Sequence, residues 1–63
     1  MSKTINVMLV DDHAVVRAGY NMLLKNMPEI VVVAEARNGE EAYQLYITHK
    51  PDVVVMDLSL PGI

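Results

Sequence analysis

The sequence predicts an α/β domain whose elements run β-α-β-α-β around a parallel sheet. Three observations support this. Ile5–Val10, residues 30–34 and residues 53–58 read as short, nearly continuous apolar runs of strand length. Two segments of helical period lie between them, and turn or stop signals separate the elements. Strands alternating with helices of about 10 to 15 residues imply βαβ units and hence parallel pairing.

The first strand is mostly apolar, with Asn6 near its start and Asp11 and Asp12 directly after it. From residue 14 to 27 the period changes. Val16, Tyr20, Leu23 and Met27 fall at i, i+4, i+7 and i+11, one face of a helix. Pro28 disfavours helical backbone at Met27 and supplies a stop. Residues 30–33 are a β-branched run that continues through Ala34 and reads as a strand buried on both faces. The second helix has a clear start, because Asn38 as N-cap and Glu41 three residues later approximate a capping box. Glu40 and Glu41 in its first turn, and His49 and Lys50 in its last, complement the helix dipole. Ala42, Leu45, Tyr46 and His49 share one face, and Pro51 ends the helix. Residues 53–58 form the third strand, followed by the turn signal Pro61-Gly62.

Composition narrows the function classes. At 63 residues the chain is one small domain, near the size at which a single core is marginal. A hydrophobic share of 52% excludes a disordered chain. The lack of cysteine removes disulfide frameworks and thiolate metal sites and fits a reducing compartment. No apolar run approaches a membrane span, and "MSKTIN" has no signal-peptide core, so a cytoplasmic location without a membrane partner is expected. The net charge of -3, with Lys3, Arg17, Lys25, Arg37 and Lys50 scattered, argues against a nucleic-acid interface on this segment. The sequence closes on Gly62-Ile63 just after a strand and turn, with no further element to cover the sheet. That predicts a fragment of a larger doubly wound domain.

The chemistry lies in the acids. In a parallel sheet all strand C-termini share one edge, where open α/β folds bind ligands. Asp11 and Asp12 end strand one and Asp57 lies near the end of strand three. If those strands are neighbours, their ends are about 5 Å apart laterally. Three converging carboxylates repel one another, and a hard divalent cation relieves that repulsion. Mg²⁺ suits a site of few carboxylates with positions left for water and a phosphoryl oxygen. The plainer alternative is that Asp11 and Asp12 cap the first helix while Asp57 merely ends a strand.

"MLVDDHAVVRAGY" followed by "DVVVMDLSLPG" resembles the receiver domain of bacterial two-component response regulators. Its "D-D-H-x-x-x-R-x-G" pattern is similar to the subgroup with a LuxR-type helix-turn-helix output domain. The resemblance covers the whole chain but only about the first half of a receiver domain, with no output domain. It implies a truncated flavodoxin-like fold with strand order 2-1-3. It also implies that Asp57 is the phosphoacceptor, that Asp11 and Asp12 are the acidic Mg²⁺ pair, and that the Ser59 backbone carbonyl is a further metal contact. The implied partner is a sensor histidine kinase, with DNA bound only through the missing output domain. The implied role is a phosphoacceptor signalling domain rather than a conventional enzyme, although the parent protein would catalyse its own phosphorylation and dephosphorylation. The family's switch Ser/Thr after strand four and its Lys after strand five have no counterpart in these 63 residues. Full activity is therefore not expected of this segment alone.

Other residues receive plainer readings. His13 reads as a helix-start residue beside carboxylates, and Arg17 as a solvated charge that could also reach an acidic partner or a docking kinase. Tyr20, Tyr43 and Tyr46 read as packing or surface residues, since no basic residues interleave with them as in a base-stacking platform. Gly19 inside the first helix is a candidate for close packing on the sheet. An Asp-nucleophile phosphatase would show Asp-x-Asp after strand one, and a dinucleotide site would need glycines where "DDHAVV" stands. An assembly role is the remaining rival. A third strand without a further partner would present an apolar edge, predicting a homodimer or higher oligomer through residues 53–58.

Overall fold

The structure, a computed structural model, describes residues 3–56. The elements are β1 (Ile5–Val10), α1 (Ala14–Lys25), β2 (Ile30–Ala36), α2 (Gly39–His49) and β3 (Val53–Met56). The strands form one parallel sheet in the order β2-β1-β3. The crossover from β1 to β2 runs one way along the sheet, and that from β2 to β3 runs back past β1. Right-handed crossovers of opposite sense place the two helices on opposite faces. Side-chain alternation agrees with this. Met8, Val10, Ala34 and Ala36 form a core with Ala42 of α2, whereas Glu35, between the two alanines, bonds to Arg17 and Asn21 of α1.

Burial follows strand position. Central β1 is covered on both sides, and Val7 to Val10 are each no more than 3% exposed. β2 differs from its predicted burial on both faces, because only Ala34 and Ala36 are buried in it. It is an edge strand, and it carries a bulge. The register steps from Val7↔Val32 to Met8↔Ala34, so Val33 is the extra residue. Without that step Glu35 would pair with Val10 and share the face of the α2 core. With it, Glu35 pairs with Leu9 and faces α1.

The sheet-facing side of α1 is also displaced from the apolar stripe. Val16, Tyr20, Leu23 and Met27 are exposed, and the half-buried positions are Arg17, Asn21 and Leu24. These too recur at i, i+4 and i+7, about 100° round the helix. They turn inward because Arg17 and Asn21 reach Glu35. The helix ends at Lys25, two residues before the predicted Met27, and Asn26 and Met27 donate to the carbonyls of Leu23 and Leu24. A Cβ built on Gly19 meets nothing within 4 Å, so this glycine does not serve a close approach to the sheet.

α2 begins as its sequence predicts, with Asn38 Oδ1 accepting from the Glu41 amide at 2.8 Å. The Glu41 carboxylate accepts from the amide of Arg37 at 2.9 Å rather than from Asn38, a capping box shifted by one residue. Its C-cap Lys50 adopts the left-handed conformation (φ 45°, ψ 60°) and donates to the Tyr46 carbonyl. Asp52 then clasps β3 to β1. Its amide donates to the Asn6 carbonyl at 2.7 Å, and its Oδ2 accepts from the Asn6 amide at 2.8 Å. That clasp precedes the pairing Val7↔Val53.

Candidate acidic site at the strand ends

Asp11 is still part of the sheet, since its amide donates to the Ala36 carbonyl at 3.0 Å. The chain then turns. Asp11 Oδ1 accepts from the His13 amide at 2.9 Å, an Asx-turn that reverses the backbone into α1. His13 is the N-cap, extended at φ -99° and ψ 109°, and its carbonyl accepts from Arg17 at 3.0 Å. No side-chain cap hydrogen bond is made there, and the first turn of α1 holds no acid. The alternative in which Asp11 and Asp12 cap the helix is therefore not what the structure shows. Asp11 shapes the turn before the cap instead.

The His13 ring lies between the two carboxylates, with Nδ1 2.8 Å from Asp11 Oδ1 and 2.9 Å from Asp12 Oδ1. The Asp11 side chain is nearly buried, whereas those of Asp12 and His13 are half or more exposed. One ligand atom from each of the three lies within 4.8 Å of the others, a cluster that could hold a metal ion. Two carboxylates offer hard oxygen donors of the kind Mg²⁺ selects, whereas the imidazole is the softer donor that Mg²⁺ does not favour. The donor set thus fits a hard cation through Asp11 and Asp12. The exposed ring can give up its place without disturbing the core.

β3 runs beside β1, parallel to it. Met56, its last described residue, pairs with Val10, the residue before Asp11. Asp57 and Ser59 follow Met56 in sequence and lie outside the described residues. Arg17, read from sequence as a solvated charge that could also reach an acidic partner, does reach one: its side chain is only 17% exposed, and its Nε donates to Glu35 at 3.3 Å. A second guanidinium nitrogen, NH1, donates to the Asp11 carbonyl at 2.6 Å. This cluster is not visible in the apolar periodicity of α1. The available signal was Arg17 and Asn21 four residues apart on one helical stripe, with Glu35 interrupting an apolar strand. His49, Tyr43 and Tyr46 are exposed on α2 and take no part in the site. Among the described residues no helix is long and apolar enough to cross a membrane.

A three-stranded parallel sheet with carboxylates gathered at its C-terminal edge has the design of an α/β ligand-binding module. The family model for the response regulator receiver domain matches residues 7–63, and the chain belongs to that family. It is 51% identical over 57 residues to the oxygen regulatory protein NreC of Staphylococcus haemolyticus, covering 90% of this chain and 26% of that protein. The chain thus spans about a quarter of the length of the curated relatives it matches. Among solved structures, a two-component response regulator of the LuxR family from Aurantimonas sp. superposes with a TM-score of 0.88 at 55% identity, over 95% of this chain and 43% of that one. CheY6 of R. sphaeroides, solved with the P1 domain of CheA3, superposes with a TM-score of 0.86 at 34% identity, over 98% of this chain and 49% of that one.

Proposed function

We propose that the chain is the first part of a receiver domain, three strands and two helices, that accepts a phosphoryl group on Asp57 from a sensor histidine kinase. Mg²⁺ would be held by Asp11, Asp12, Asp57 and the Ser59 carbonyl. The observation that supports this most is the acid pair at the end of β1, in register with the end of β3. One Asp57 carboxylate oxygen forms the new P–O bond while the P–N bond to the donor imidazole breaks, and the departing nitrogen takes up a proton. Asp11 and Asp12 supply the charge that gathers the cation at the strand edge. When bound, Mg²⁺ neutralises charge on the transferring group and aligns it with the attacking oxygen. The kinase partner is supported by the CheY6 likeness. A cytoplasmic transcriptional regulator as parent, with DNA bound by a separate output domain, is supported by the LuxR-family relative.

Thermal melting against Mg²⁺ concentration tests the site. A cation bound only by the folded state stabilises by about 2.7 kcal/mol at one hundred times its Kd. The melting temperature should rise with Mg²⁺, and Asp12→Ala should abolish the rise. An absent rise, or the same rise in Asp12→Ala, contradicts the reading.

A second reading is assembly into a homodimer or higher oligomer. Among the described residues β3 pairs on one side only, and Val53 and Met56 are exposed. Sedimentation at micromolar concentration decides it, and a stable monomer would exclude it.

A further inference from the structure

We infer that Arg17 is a positioning residue for the acid pair, acting as a fork between the Asp11 backbone and Glu35. This rests on the Mg²⁺-site reading for its consequence but not for its geometry. NH1 donates to the Asp11 carbonyl at 2.6 Å while Nε donates to Glu35 Oε1 at 3.3 Å. Asn21 holds the other side of Glu35, its Nδ2 donating to Oε2 at 3.0 Å and to the Arg17 carbonyl at 3.1 Å. Both backbone groups of Asp11 are thereby tied to β2 or to α1, the amide through Ala36 and the carbonyl through Arg17. Its carboxylate is tied to His13.

The charge sign separates positioning from simple attraction. A lone cation beside two carboxylates would oppose a divalent metal by repulsion. Paired with Glu35, the guanidinium carries its charge locally neutralised and contributes geometry instead. A charged donor to a carbonyl is a strong hydrogen bond, and the planar fork satisfies two acceptors at fixed angles. Lysine keeps the charge but lacks the planar two-nitrogen fork that holds the two acceptors at fixed angles. The bulge at Val33 is what makes the fork possible, since it turns Glu35 toward α1.

The test uses the protein that carries this chain, with Arg17→Lys and Glu35→Gln. The first readout needs no metal: hydrogen exchange of the His13 amide, which donates to Asp11. Arg17→Lys should speed that exchange about tenfold while the amides of Met8 and Leu9 stay protected, and Glu35→Gln should do so to a smaller degree. The second is Mg²⁺ affinity by calorimetry, expected to fall about tenfold in Arg17→Lys, the scale of outer-shell losses at metal sites. Should Arg17→Lys not fold, Glu35→Gln alone carries both readouts. Unchanged His13 exchange in the folded variants, or Mg²⁺ affinity unchanged or tighter, overturns the inference. If the unaltered protein binds Mg²⁺ no better than Asp12→Asn, the metal-site reading fails, and the exchange data still decide the fork.

Discussion

His13 shows how one side chain can compete with a ligand. Its ring contacts both carboxylates that a cation would need, at 2.8 and 2.9 Å, while much of it faces solvent. The contact with Asp12 is exposed, and contacts of that kind are worth at most about 1 kcal/mol. His13→Ala is therefore expected to tighten Mg²⁺ binding by up to about fivefold in a calorimetric titration. Weaker binding in this variant would mean that the ring orients the acids rather than occupying their place. The place of the acid pair at the end of β1 was legible from sequence because the apolar run stops directly at Asp11. The ring between them was not, since its position depends on the Asx-turn that Asp11 makes with the His13 amide.

At the scale of elements, all three strands and both helices were legible. The reason is physical: apolar runs, the Asn38 cap and the stops at Pro28 and Pro51 are local signals. What local signals could not supply was which side of α1 meets the sheet. The apolar stripe of Val16, Tyr20 and Leu23 is the stronger periodic pattern, yet Arg17, Asn21 and Leu24 turn inward. Their partner Glu35 lies 18 residues beyond Arg17 and faces α1 only because Val33 is bulged out. A register step in a parallel strand leaves no mark in composition. The open surroundings of Gly19 belong to the same correction. Gly19→Ala should add about 0.5–1 kcal/mol of stability in denaturant unfolding, because the helix gains propensity and nothing is crowded. A destabilised Gly19→Ala would mean that this part of α1 packs against something.

For the whole molecule, the order β2-β1-β3 unites these observations. It buries β1 on both faces, sends the helices to opposite sides, and sets the ends of β1 and β3 next to each other. The order was expected through the receiver-domain resemblance rather than from periodicity, because alternating strands and helices fit a simple or a reversed order equally. In the proposed function the acid pair serves Asp57 in phosphoryl transfer. Its most direct measurement is intact mass of the protein carrying this chain after incubation with a small-molecule acyl phosphate, with and without Mg²⁺. One phosphoryl group is expected to be gained only with Mg²⁺, to be lost in Asp57→Asn and to be strongly reduced in Asp12→Asn. A phosphoryl group that persists in Asp57→Asn, or that is gained regardless of Mg²⁺ and Asp12, would contradict it.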